Sequence, residues 1–237
     1  MEASMHKFYG IGVGPGDPEL LTVKAAKKLS ELDVLVVPQG KSGGTSEAYL
    51  IASPYLEAHT EILYRHFPMT PDMDAMMAAI EPIALEIKAL VTAGKDVGFV
   101  TLGDPMLYST YIYLLKFIKN AIPIETMTGI SSYSAIASGT NRPLVEGDMP
   151  LLIYPCIDDL SDLDQKLHDF EALVLMKVYR SFDAIKALIL KHGLENHCVI
   201  VSDFGKPGEK RFDSIQSVSF EDIRYFTTII INKRWSK

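Results

Sequence analysis

Three short turns hold the residues best suited to chemistry: Gly12–Asp17 (GVGPGD), Gly103–Pro105 (GDP) and Thr128–Ser132 (TGISS). Each is built from small residues and follows a run that reads as a β-strand. Glycine lets a backbone approach a ligand closely, and exposed turn N–H groups can receive a carboxylate. In an open parallel sheet, ligands bind beyond the carboxyl ends of the strands, so three such turns from one domain would converge on one cleft.

Other chemistries fail on spacing. A dinucleotide fingerprint counted from Gly10 meets Pro15 where its third glycine belongs, and counted from Gly12 it meets Asp17. The acid that should end the second strand is missing, because Asp33 begins that strand. Lys41-Ser42 lacks the glycine pattern of a phosphate loop. The six histidines (His6, His59, His66, His168, His192, His197) show neither i,i+4 pairing nor an HExxH motif, so no metal site is expected. Cys156 and Cys198 read as inert buried thiols, and no Gly-x-Ser-x-Gly elbow occurs. Asp158, Asp159, Asp162 and Asp164 read as a solvated helix start. With no self-evident nucleophile or general base, the residues favour a reaction driven by a reactive co-substrate that the protein mainly orients.

The elements that must position the turns follow from periodicity. Lys7–Val13, Asp33–Val37, Glu61–Tyr64, Asp96–Thr101 and Pro123–Thr126 read as strands. Helices are expected after Thr22 as N-cap, from Thr45 or Ser46 to Ser53, over Asp72–Ala93, over Leu107–Ile118 and over Tyr133–Ser138. Pro82 should kink or split the third of these. Strands at Leu151–Tyr154, Ala172–Met176, Cys198–Val201, Arg211–Ile215 and Phe226–Ile231 alternate with helices at about 159–168 and 182–191, the latter capped by Ser181 and stopped by Gly193. The pattern is α/β with two domains, 1–122 and 123–237.

The chain has 237 residues, a formal charge of −7, 48% hydrophobic and 22% charged residues, which is a globular composition able to bury a full core. Two cysteines exclude a disulfide scaffold. No apolar run reaches the ~20 residues of a membrane span, and the start MEASMH lacks a signal-peptide pattern, so a cytoplasmic protein without membrane attachment is expected. The acidic balance argues against nucleic acid as a partner.

In order, GVGPGDPELLT (12–22), LGDPMLYST (102–110) and TGISSYSA (128–135) resemble the tetrapyrrole methylase family, whose members use S-adenosyl-L-methionine to methylate corrin and siroheme precursors. The resemblance runs on through LVLMK (173–177) and YFTT (225–228). GDPMLYSTY, GISSYSAIAS leading to Arg142-Pro143-Leu144, and VPQGKSGGTSEA (37–48) are most similar to the branch that methylates C-20 of precorrin-2 or cobalt-factor II.

The resemblance implies a two-domain tetrapyrrole methylase fold, each domain a mixed or mostly parallel sheet with flanking helices. It also implies ligands in the cleft between the domains, and a homodimer. Carried over, the cofactor-binding positions are Pro15, Leu102, Gly103, Asp104, Leu107, Ser131, Ser132, Lys177 and Gly205. Lys177 stands where some relatives have methionine, implying a backbone contact. Asp104 is implied as partner of the cofactor's amino group; its alternative is a turn aspartate bonding its own backbone. Ser131 and Ser132 can bind the cofactor, cap a helix, or both. Tyr108 is either a pocket wall or a core residue one turn into a helix. The polycarboxylate substrate calls for local cations, and Lys41, Arg142, Lys177, Arg180 and Lys206 are the candidates if they converge. Other acceptors within the superfamily, a protein or ribosomal RNA, and a non-catalytic binding role are the rival readings.

Overall fold

The computed structural model describes residues 6–40, 46–68, 70–157 and 159–236. Lys41, Thr45 and Asp158 lie outside the described residues. The chain divides into two compact units, residues 1–131 and 132–237. The division falls after Ser131 rather than after residue 122, because the strand at Ile124–Met127 pairs with Phe8–Gly12 and so belongs to the first sheet.

That first sheet contains β1 (Phe8–Gly12), β2 (Val34–Gln39), β3 (Glu61–His66), β4 (Val97–Thr101) and β5 (Ile124–Met127). All are parallel, in the order β3-β2-β4-β1-β5. Alternation along the strands supplies two apolar faces. Phe8, Val34, Val36, Val97 and Phe99 pack with α3 (Met73–Thr92) and α4 (Tyr111–Ile118), and Tyr9, Ile11, Leu35, Val37 and Val100 with α1 (Val23–Glu31) and α2 (Glu47–Ala52). Tyr111 is fully buried across β1, and a Cβ on Gly10 would stand 2.2 Å from its ring, so only glycine fits there. The Tyr111 hydroxyl shares a 2.6 Å hydrogen bond with Thr126 Oγ1.

The helix starts obey local rules where the caps are local. Thr22 Oγ1 accepts from Ala25 N–H at the head of α1, and Asp72 accepts from Asp74 and Ala75 N–H at the head of α3. Of the kink or split expected at Pro82, the split does not occur, and α3 runs through Pro82 as one 20-residue helix. Its buried residues lie on both sides of the proline (Ile80, then Ile83, Ala84, Ile87 and Val91) and pack in one cluster, which offsets the lost backbone bond. The helix expected from Leu107 starts only at Tyr111.

In the second unit, β6 (Leu151–Pro155), β7 (Ala172–Met176), β8 (Cys198–Ser202), β9 (Lys210–Phe212) and β10 (Thr227–Asn232) form a mixed sheet in the order β6-β7-β10-β8-β9. One face packs Ile136 of α5 (Ser132–Thr140) against Val174, Val199, Val201 and Ile230. The other packs α6 (Leu163–Asp169) and α7 (Phe182–Lys191) over Leu173, Leu175, Ile200, Ile229 and Ile231. The strand expected over 211–215 ends at Phe212, and a 3₁₀ turn at Ile215–Ser217 follows. Helix α6 begins at Leu163 rather than near 159, since Asp159 instead accepts the Ser161 N–H in a turn. Gly193 (φ +66°) closes α7 as expected, with Gly193 N–H bonding Leu190 O and Leu194 N–H bonding Ile189 O. Ser181 precedes α7 but makes no side-chain cap bond. Among the described residues no helix is long and apolar enough to cross a membrane.

Candidate functional site

Because β1 lies between β4 and β5, the three turns leave the carboxyl ends of three adjacent strands and touch. Gly103 N–H donates to Gly14 O at 2.8 Å, Gly14 N–H returns a weaker bond to Gly103 O at 3.4 Å, and Val13 N–H donates to Thr101 O at 3.0 Å. The third turn is pressed against the other two. A Cβ on Gly12 would sit 2.6 Å from both Gly103 O and Gly129 N, and one on Gly129 would sit 2.0 Å from Gly103 O. Backbone packs directly on backbone here, which is the physical requirement for glycine at 12 and 129.

Asp104 fastens this arrangement. Its Oδ1 accepts the Met106 N–H at 2.8 Å, which closes its own turn. Its Oδ2 accepts the Gly129 N–H at 3.0 Å and the Thr128 hydroxyl at 2.5 Å, both from the third turn. The turn-aspartate alternative therefore describes Asp104, and the bonds to 128 and 129 extend it across the site. A carboxylate has about four acceptor positions; three are taken, leaving room for one further donor from a ligand.

The remaining expected positions of the first unit fall in the same place. Pro15 is half-buried in the first turn, Leu102 packs partly buried on the core cluster containing Ile11 and Val13, and Leu107 N–H bonds Asp104 O at 3.2 Å. Ser131 ends the first unit, and Ser132 is the first residue of α5 in the second. Gly103 has φ +64°, and a Cβ there would find nothing closer than Ile130 O at 4.0 Å. Bare backbone thus faces open space beside a carboxylate. The remaining acceptor position of Asp104 suits a ligand that carries an ammonium group.

In the second unit, Lys177 follows β7 and Gly205 lies just beyond β8, the two strands that flank β10. Both turns are left-handed: Lys177 has φ +59°, Asp203 +53° and Gly205 +71°. Gly205 N–H donates to Glu209 Oε2 at 2.7 Å, and Asp203 N–H to Phe226 O at 3.3 Å. The Lys177 side chain reaches solvent, yet the protein around its ammonium lowers its pKa by desolvation.

The five expected substrate cations do not all converge. Lys177, Arg180 and Lys206 follow the carboxyl ends of β7 and β8, with Lys206 Nζ 3.5 Å over the Phe226 ring. Arg142 is at the opposite end of the sheet, its guanidinium donating to the carbonyl of Cys198, the first residue of β8, at 3.2 Å.

Tyr108 is neither helical nor core. It precedes α4 with φ +52° and is 43% exposed. Sequence reasoning also passed over Thr128, Gly129 and Asp203 as individual residues. Thr128 and Gly129 meet a carboxylate 24 and 25 residues away, for which no local pattern exists, whereas the left-handed Asp203 has a weak one, Asp being tolerated there.

Burial pushes the Cys156 thiol up to about 12 and the Cys198 thiol up to about 11, as inert thiols require. Among the described residues no group of three His, Cys, Asp or Glu could hold a metal ion. An open hollow of about 640 Å³ is walled by Tyr179, Phe220, Glu221, Ile223, Arg224 and Tyr225 in the second unit and includes none of the expected cofactor positions.

Comparison with known proteins shows what the chain is similar to. The family described as Tetrapyrrole (Corrin/Porphyrin) Methylases matches residues 7–218. The chain is 40% identical over 230 residues to a cobalt-precorrin-2 C(20)-methyltransferase of Salmonella typhimurium, covering 97% of both chains. It is 33% identical over 250 residues, all of both chains, to a probable cobalt-precorrin-2 C(20)-methyltransferase of Methanocaldococcus jannaschii. To a precorrin-2 C(20)-methyltransferase of a Sinorhizobium species it is 30% identical over 233 residues, 95% of this chain and 94% of that one. Among solved structures, a cobalt precorrin-4 methyltransferase matches with TM-score 0.72 at 22% identity, covering 95% of this chain and 94% of that one. A uroporphyrin-III C-methyl transferase from Thermus thermophilus complexed with S-adenosyl homocysteine matches with TM-score 0.65 at 20% identity, covering 96% of this chain and 97% of that one.

Proposed function

The chain belongs to the tetrapyrrole (corrin/porphyrin) methylase family, and from that premise we propose that it transfers a methyl group from S-adenosylmethionine to C-20 of precorrin-2 in cobalamin biosynthesis. The observation that carries this reading is the 40% identity, over 97% of both chains, to a methyltransferase named for that carbon. The cobalt-bearing acceptor is favoured, since the two relatives named for it are 40% and 33% identical against 30% for the one named for precorrin-2 alone.

When bound, the donor supplies an already activated sulfonium methyl. The chain's own task is then binding and alignment, which can supply ~7–11 kcal/mol of a barrier in favourable intramolecular cases. Pro15, Leu102, Leu107, Ser131 and Ser132 shape the donor's surroundings, and bare backbone at Gly103 lets it approach closely. Asp104 holds the second and third turns at fixed separation and offers its remaining acceptor position to the donor's ammonium. Lys177 and Gly205 are the corresponding positions of the second unit. C-20 of the acceptor attacks the methyl carbon; the new C–C bond forms as the S–CH₃ bond breaks, the sulfur keeps the electron pair, and C-20 then releases its proton. Lys177, Arg180 and Lys206 are the cations assigned to the acceptor's carboxylates; Arg142 is not, because it lies at the amino end of β8, opposite to them.

The working protein is proposed to be a cytoplasmic homodimer, a state that light scattering on the purified protein measures. The activity is tested by anaerobic incubation with methyl-labelled S-adenosylmethionine and either metal-free or cobalt-bearing precorrin-2. Label appearing at C-20, faster with the cobalt form, is the expected result. Failure to methylate either, or no calorimetric binding of S-adenosylhomocysteine, removes the proposal.

A further inference from the structure

Gly205 lies in the connection from β8 to β9, two antiparallel strands whose pairing sets Ser202 opposite Lys210. That connection contains two left-handed residues, Asp203 (φ +53°) and Gly205 (φ +71°). Aspartate is tolerated rather than favoured in that conformation, so the turn keeps one shape only where its surroundings over-determine it. Local bonds supply part of this: Lys206 N–H donates to Asp203 O at 3.0 Å and Glu209 N–H to Lys206 O at 3.1 Å. The Glu209 carboxylate supplies the rest by reaching back across the loop. Its Oε2 accepts the Gly205 N–H at 2.7 Å, and its Oε1 accepts from Arg211 Nε. The Glu209 side chain is only 19% exposed.

Arg211 carries the connection on to α5. Its Nη1 donates to Gly139 O at 2.6 Å, near the carboxyl end of that helix. In a continuing helix that carbonyl would accept from residue 143, but Pro143 has no N–H. The guanidinium provides the missing donor, at the helix end where the dipole favours a cation. The Phe204 ring presses on the same residue, since a Cβ on Gly139 would stand 2.7 Å from Phe204 Cε2, and the Arg211 guanidinium lies 5.6 Å from the centre of that ring. The turn is thus fastened to α5 at one point by packing and by a chain of charge-assisted bonds.

We propose that Glu209 and Arg211 are positioning residues for the methyl donor, an ion pair that fixes the Gly205 turn relative to α5. Two donor positions of the second unit, Gly205 and Ser132 at the head of α5, are then presented in one arrangement. This rests on the function proposed above. Neither charged side chain touches the donor. The Gly205 N–H already has its acceptor in Glu209, so the turn meets the donor through its shape and its other atoms and not through that N–H.

The test uses Glu209→Ala, Glu209→Gln, Arg211→Ala and the double alanine variant in the full-length protein. By calorimetry, Kd for S-adenosylhomocysteine should rise about tenfold in Glu209→Ala and about fivefold in Arg211→Ala. The double variant should match Glu209→Ala alone, because residues of one linked unit do not add. Glu209→Gln keeps an oxygen that can accept the Gly205 N–H and should stay within about threefold. In turnover with cobalt-precorrin-2, KM for the donor should rise by the same factors, while kcat and KM for the acceptor change by less than about threefold. A role confined to the fold would lower the melting temperature and leave Kd of the folded protein within twofold. That result in Glu209→Ala overturns the inference and leaves the functional reading standing. Should that variant not fold, Arg211→Ala, whose side chain is 47% exposed, decides it on the same criterion. If the wild type binds no S-adenosylhomocysteine, the functional reading and this inference both fail.

Discussion

Replacing Asp104 by alanine separates two roles that its position alone confounds. If the carboxylate only met a ligand, the ligand-free variant would be as stable as wild type and would lose affinity alone. The structure instead gives it three protein donors, at 2.8, 3.0 and 2.5 Å. A hydrogen bond to a charged group contributes about 1.5–3 kcal/mol when desolvated. Two of these donors, Met106 N–H and the Thr128 hydroxyl, are exposed and regain water in the variant, whereas the part-buried Gly129 N–H does not fully do so. The expected loss is therefore about 2 kcal/mol rather than the sum of three full bonds. Unfolding entropy of ~2.1 cal/mol/K per residue over the 237-residue chain converts this to a fall of about 4 °C in Tm, if the chain melts in one transition. Scanning calorimetry without ligand measures it directly. Thr128→Ala, which removes only the exposed donor, should shift Tm by about 1 °C, and Asp104→Asn should recover no more than half of the alanine loss, since its amide places an NH₂ against an N–H donor. An Asp104→Ala protein that melts within 1 °C of wild type refutes the view that this carboxylate ties the turns together.

Gly10→Ala places a methyl 2.2 Å from the buried Tyr111 ring and should cost about 2 kcal/mol in urea denaturation, with Tyr111→Leu in the same chain recovering part of it. Both thiols should resist Ellman's reagent in the native protein at pH 8 and react together on unfolding, since burial holds Cys156 at about 12 and Cys198 at about 11. The Arg65 guanidinium, whose Nε lies 2.7 Å from Glu86, holds that carboxyl below its ordinary value of 4.5. Its stabilisation is full above pH 4.5 and is lost as pH falls through the lowered folded value. The pair is about one-third exposed, so the effect is at most about 0.5 kcal/mol. Arg65→Gln should flatten the stability profile below pH 4.5 by that amount, as read by denaturant titration across the range.

The sequence alone determined whatever depends on neighbours along the chain. Thr22 and Asp72 cap their helices through residues two or three positions away, Gly193 ends α7, and glycine-bearing turns follow the strands at 8–12 and 97–101. The ordered motifs also sufficed for the family, because close backbone packing at 12 and 129 and a left-handed backbone at 103 tolerate so few residue types.

Tertiary structure decided what depends on lateral neighbours. Periodicity reports that a strand is buried but not which strands lie beside it; only the pairing of β5 with β1 places β5 in the first unit. Asp104 acquired its second task from residues 24 and 25 positions downstream, which approach only because β1 separates β4 from β5 by one strand width on each side. Arg142 left the expected cationic group for the amino end of β8, and Tyr108 left its expected helix where the part-buried Ser109–Thr101 hydrogen bond fixes the chain one residue later. Each of these outcomes was set by a contact between distant segments, whose energy exists only once the sheets have assembled.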